Sequence, residues 1–315
     1  MNLGFTNTLK TFTLLAALAG LLVFVGGLLG GQSGMVIALL FALVMNVFVY
    51  WKSDTLALKA NGARELAPGE LPRLRQVVTS LAGRAGLPMP RLYVIDRPEP
   101  NAFATGRNPE HSAVAVTTGL LDLMDDRQLT GVLAHELSHV KNRDTLVGTI
   151  AATIGGAISF MAQMAQFQMI FGGGRDDENG GGGFGALIAI ILAPIAALII
   201  QLAVSRGREY GADRSGARLT GDPEGLAQAL LALDGATKRQ TGILGRLGRR
   251  VPGRGERPIP GQAPVPAPAA NPAFAHLYIV NPLSGRAIGG LFSTHPPIEE
   301  RVARLRSMEG RGAAA

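Results

Sequence analysis

Apolar residues along this chain gather into four long runs, with polar stretches between them. Phe12 to Gly31 is uncharged and, at about 1.5 Å per helical residue, long enough to cross about 30 Å of hydrocarbon. Gly31-Gln32-Ser33-Gly34 makes a tight break, and Met35 to Trp51 returns, with Tyr50 and Trp51 where an aromatic belt would lie and Lys52 just beyond. Thr145 to Phe171 and Gly185 to Val204 form a second uncharged pair, joined by a glycine-rich loop with three acids and one arginine. A cleaved signal peptide is disfavoured, because the first apolar core is too long and a second run follows at once.

The polar stretches carry weaker periodicities. Leu71, Leu74, Val78 and Leu81 fall at helical spacing within Glu70–Leu87, ahead of Pro88 and Pro90. Leu92–Ile95 and Ala113–Thr117 read as strands, the second preceded by the turn-like Gly106-Arg107-Asn108-Pro109. Asp125 and Asp126 open a helix through Leu129, Val132, Leu133 and Leu137. Asp222-Pro223 caps a helix with Leu226, Leu230, Leu231 and Leu233. Thr294 caps a last helix, with Ile298, Val302 and Leu305 as its apolar stripe. The expected organisation is an N-terminal transmembrane hairpin 1–51 (spans about 12–31 and 35–51) and a polar part 52–144. A second hairpin 145–204 follows (spans about 145–171 and 185–204), then a polar part 205–315. A basic, Pro- and Gly-rich insert over about 238–270 reads as a flexible excursion.

Composition sharpens the membrane reading. Hydrophobic residues make up 47% and charged residues only 17%, against about 25% charged in ordinary soluble domains. Lys10, Lys52, Lys59, Lys141, Arg143, Arg206 and Arg208 flank the runs on one side, and the other side has an uncharged turn and an acidic loop. The positive-inside rule therefore places both termini and both polar parts in the cytoplasm. The net charge of +7 comes without aromatic–basic interleaving, which argues against nucleic acid and for the lipid bilayer as the anionic partner. Cysteine is absent, so any metal must be held by His, Asp or Glu. There is no GxxxxGK[ST] sequence for ATP.

The sharpest chemistry is His135-Glu136-Leu137-Ser138-His139, an HExxH pattern on the helix opened by Asp125. Residues four apart share one helix face, so both imidazoles can reach one zinc ion. Glu136 can then take a proton from a metal-bound water as general base. A catalytic zinc needs a third ligand, and Glu209 can supply it. Asp213, one turn later, can accept a hydrogen bond from the outer nitrogen of a ligating histidine. The spacing alone fits equally well two solvated acids balancing Arg206 and Arg208. His295, in Ser-Thr-His-Pro-Pro, could donate to a tetrahedral oxyanion or simply begin a helix. His111 and His276 read as structural. His139 lies six residues before the third run and Glu209 five after the fourth, so a metal they share would sit within about 9 Å of hydrocarbon.

Asn101-Ala102-Phe103-Ala104-Thr105-Gly106, HELSH at 135–139, SRGREYGAD at 205–213 and FSTHPP at 292–297 occur in the order found in HtpX-like membrane metalloproteases, and the chain resembles that family over nearly its whole length. The resemblance implies an α+β, mostly helical fold of gluzincin type, related to the CAAX prenyl proteases, with four transmembrane helices and a small sheet. It implies one Zn2+ held by His135, His139 and Glu209, with Glu136 catalytic, and it favours His295 as oxyanion stabiliser. An edge strand would align substrate backbone, from Asn101–Thr105, with Asn101, Ala102 and Phe103 as contacts, or from Ala113–Thr117. The implied activity is an ATP-independent endopeptidase for damaged or misfolded membrane proteins in the bacterial inner membrane, acting in quality control under stress. The alternatives are a CAAX-type processing protease and a non-catalytic, zinc-stabilised membrane adaptor. The main departure from the family pattern is the long basic, Pro-rich insert near 246–270.

Overall fold

A computed structural model describes residues 3–171, 182–241 and 296–312. Among the described residues the chain is mostly helical, with one four-stranded sheet, and it divides into two compact units: 1–53 with 143–211, and 54–142 with 212–315.

The first unit is built from helical hairpins. A helical run, α1 (Leu3–Ala60), reverses direction at Gly31, whose φ of +58° lies in the left-handed region that glycine adopts most readily. The two arms then touch backbone to backbone, since a Cβ added at Gly34 would lie 2.2 Å from the carbonyl oxygen of Gly26. The break expected at 31–34 is thus a close crossing that tolerates no side chain. Helices α5 (Asp144–Phe171) and α6 (Gly182–Thr220) supply the second pair, and Pro194 sits inside α6. Leu18, Leu22 and Val25 of α1 pack with Ala151, Ile154 and Ile158 of α5 and Ala193, Ala197 and Val204 of α6. Phe41 stacks on Phe160 at 5.9 Å. Among the described residues, Leu146–Gln166 and Ile190–Thr220 are long and apolar enough to cross a membrane. Thr13–Leu29 and Gly31–Phe41 are apolar but shorter.

The second unit surrounds the sheet. Strands β1 (Arg64–Glu65), β2 (Arg91–Ile95), β3 (Ala102–Gly106) and β4 (Ser112–Thr117) lie in the order β1-β2-β4-β3, parallel between β2 and β4 and antiparallel elsewhere. Alternation divides the sheet into two faces. Leu92, Val94, Ala102, Ala104, Val114 and Val116 join the core with α2 (Pro72–Ala85), α4 (Asp126–Lys141) and α7 (Pro223–Thr241). Tyr93, Ile95, Phe103, Ala113 and Ala115 meet Ala57 and Leu58, from the last turns of α1. Short α3 (Thr118–Leu123) follows β4, and α8 (Ile298–Gly312) buries Val302 and Leu305 in the same core. The strand expected at Ala113–Thr117 is internal, paired on both sides, so it cannot offer an edge to substrate. β3 has no described strand on its outer side and takes that position.

Local sequence explains the element that matters most. Asp125 caps α4 by accepting from the amide of Gln128, and the Gln128 side chain accepts from the amide of Asp125, a reciprocal box that fixes the helix start. Leu129, Val132, Leu133 and Leu137 are fully buried, so α4 is held on several sides and its polar residues are carried into the interior.

Candidate metal centre

His135, Glu136 and Ser138 are all buried on α4, an expensive placement for polar groups without partners. Ser138 answers it locally, donating to the Ala134 carbonyl at 2.7 Å. The histidines answer it together. His135 and His139 sit one turn apart with ring centroids 4.6 Å apart, and their Nε2 atoms approach to 3.1 Å. Two imidazole nitrogens bound to one tetrahedral zinc, each at about 2.0–2.1 Å, lie about 3.3 Å apart, so this pair is close to a chelating geometry.

Helix α6 completes the group. It passes so near α4 that a Cβ on Gly216 would lie 2.9 Å from the backbone nitrogen of His135. Asp213, one turn before Gly216, brings Oδ1 to 2.9 Å from His135 Nδ1. That approach sets Nδ1 against the carboxylate and leaves Nε2 toward His139. Glu209, one further turn along the same unbroken helix, is 6% exposed. One ligand atom from each of His135, His139 and Glu209 lies within 4.8 Å of the other two, among the described residues the group able to hold a metal ion. Two neutral imidazoles and a carboxylate form the donor set of a catalytic zinc with an open position, so these residues fit such an ion.

Two features had no counterpart in the sequence reading. The first is Arg301 on α8, fully buried, with Nε and Nη2 donating to the two oxygens of Asp213 at 2.8 and 2.7 Å. Burial pushes the Asp213 carboxyl up, but the Arg301 guanidinium and the His135 hydrogen bond outweigh it and hold it at about 2. A signal existed: Arg301 falls between Ile298 and Val302 on the apolar stripe of the last helix, where a solvated arginine would not sit. The second is the amide of Ala104, which donates to Glu136 Oε2 at 2.7 Å from the open side of β3. No side chain announces it.

Of the residues singled out in the sequence, His135, Glu136, His139, Glu209 and Asp213 come together, and Asn101, Ala102 and Phe103 lie at the start of β3, next to Glu136 through Ala104. Asn101 is buried, and its amide donates to the Thr117 hydroxyl at 2.8 Å, anchoring that end of the strand. His295 lies outside the described residues.

The model of Peptidase family M48 matches residues 68–309. The chain is 50% identical to a protein from Desulfatibacillum aliphaticivorans described as "Protease HtpX homolog", over 95% of this chain and 89% of that one. It is 52% identical to a like-named protein of Pelotomaculum thermopropionicum, over 96% and 99%. It is also 48% identical to "Protease HtpX" of Legionella pneumophila, over 96% and 99%. Among solved structures it is similar in fold to S. mikatae Ste24p, with a TM-score of 0.52 at 20% identity, covering 96% of this chain and 66% of that one.

Proposed function

The chain belongs to peptidase family M48 and is a metalloprotease, and from that premise we propose that it is a zinc-dependent endopeptidase working at a bacterial inner membrane. The carrying observation is the convergence of His135, His139 and Glu209, with Glu136 beside them and held by the edge strand. Zinc in this site would polarise the scissile carbonyl and lower the pKa of a bound water towards 7. Glu136 takes the proton from the attacking water and returns it to the leaving amine nitrogen. The Ala104 amide holds one oxygen of Glu136 and so fixes where the carboxylate sits. Asp213 keeps His135 in the tautomer that presents Nε2. The open edge of β3, beginning at Ala102 and Phe103 with Asn101 just before it, aligns a polypeptide by strand addition, so the enzyme reads backbone before side chains. His295 supplies a donor to the oxyanion.

Four spans, with both termini and the catalytic part on the cytoplasmic side, follow from the basic flanks of the apolar runs. With His139 and Glu209 so close in sequence to the apolar runs, the favoured substrates are damaged polypeptides in or at the bilayer, cut without ATP. Glu136→Ala tests the chemistry: zinc content should equal wild type while cleavage falls roughly 10²- to 10⁴-fold. Retained cleavage removes Glu136 as the base. Equal cleavage of a soluble unfolded protein and a membrane-tethered one in liposomes removes the membrane preference.

A further inference from the structure

We infer that Arg301 is a positioning residue for the metal centre: the C-terminal helix delivers a guanidinium fork that locks Asp213, and through it the ligating ring of His135. The inference rests on the His135–His139–Glu209 reading of the site. Arg301 is 0% exposed and is the largest fully buried side chain among the described residues. Its Nε and Nη2 engage both oxygens of Asp213, while Oδ1 of the same carboxylate faces His135 Nδ1 at 2.9 Å. Nη2 also comes within 3.5 Å of His135 Nε2, the atom that would bind metal.

The geometry has a consequence that charge balance alone would not require. A carboxylate holding an imidazole through a single oxygen can swing about its own Cβ–Cγ bond and let the ring turn. A two-pronged guanidinium removes that rotation, because turning Asp213 would break both bonds at once. A lysine would keep the charge and lose the lock. The bland account is that Arg301 merely pins α8 to the core. Yet α8 has anchors of its own: Val302 and Leu305 are buried in the core, and Arg306 pairs with Glu224 of α7 at 2.9 Å. Burying a guanidinium is costly, and these apolar contacts would dock the helix without it.

The test measures zinc affinity of the full-length protein in detergent by competition with a fluorescent chelator. Wild type, Arg301→Lys, Arg301→Gln and the control Arg306→Gln are compared, with thermal unfolding of each metal-free protein alongside. Arg301→Lys and Arg301→Gln should each weaken zinc binding roughly ten- to a hundredfold, the range for groups that orient metal ligands, and Arg306→Gln should leave it unchanged. Should Arg301→Gln fail to fold, Arg301→Lys, which keeps the charge and much of the bulk, carries the test. Wild-type affinity in Arg301→Lys would overturn the inference. So would an equal loss in Arg306→Gln, since docking of α8 would then be all that matters. Failure of the wild type to bind zinc would instead sink the metal centre itself.

Discussion

The two units solve opposite solvation problems. In the unit of residues 54–142 and 212–315, large apolar side chains such as Leu129, Leu133 and Phe103 are hidden, and so are charged ones: Arg301, Asp213 and Glu136. In the other unit large apolar side chains point outward, with Ile37 66% and Val44 64% exposed, and its core is made largely of alanine, leucine and isoleucine. Water would penalise such a surface, and lipid would not. The contrast teaches where precision is spent. The sheet-bearing unit encloses a polar network in which each member fixes another, whereas the apolar unit, apart from Glu209 and the buried Arg208–Asp144 pair, is held by close helix crossings and small apolar side chains.

Substitutions that separate stability from metal binding will break or sharpen this contrast. The largest effect belongs to the ligands. Glu209→Ala should drop zinc from about one ion per chain to near none, and cleavage with it, as read by metal analysis and a casein-type assay. Next comes Gly216→Val, whose side chain would meet the His135 backbone, which cannot move aside. It should cost about 1–3 kcal/mol and weaken zinc binding as well, seen as a lower unfolding temperature and a weaker chelator-competition affinity. Gly34→Val meets backbone just as closely, at 2.2 Å from Gly26, but in the apolar unit. It should lower the unfolding temperature in detergent while zinc affinity of the folded protein stays at wild type. Loss of zinc affinity in that variant would show that the two units are not separable in this way. The smallest effect is expected for Arg127→Ala, which removes an exposed pair with Asp222 and should leave both readouts within error.

Patterning alone revealed the pieces whose physics is local. The helix start at Asp125, the apolar spacing of α4 and the HExxH pair all act within a few residues, so α4 and two of the three proposed ligands were legible before any coordinates, while the reciprocal bond from Gln128 was not. Glu209 and Asp213 were visible as a pair one turn apart, but only tertiary packing decides between ligand and solvated acid. β3 was ambiguous for the same reason: nothing in Ala113–Thr117 says that it will be sandwiched between two neighbours. Arg301 lay on an apolar stripe, yet its partner is 88 residues away, a pairing that no periodicity carries. The amide of Ala104 has no letter in the sequence at all.

Helix α6 runs without interruption from the apolar stretch through Glu209 and Asp213 to Gly216. A rod of this kind carries angular phase as well as height. Each residue inserted into or deleted from its apolar half turns everything downstream by about 100° and shifts it by about 1.5 Å. One residue more would turn Glu209 and Asp213 relative to the apolar half of the helix, while seven would nearly restore their bearing. The apolar half of α6 therefore sets the phase of Glu209 and Asp213, and exchanging it for another apolar stretch should preserve metal binding only if the substitute kept the count.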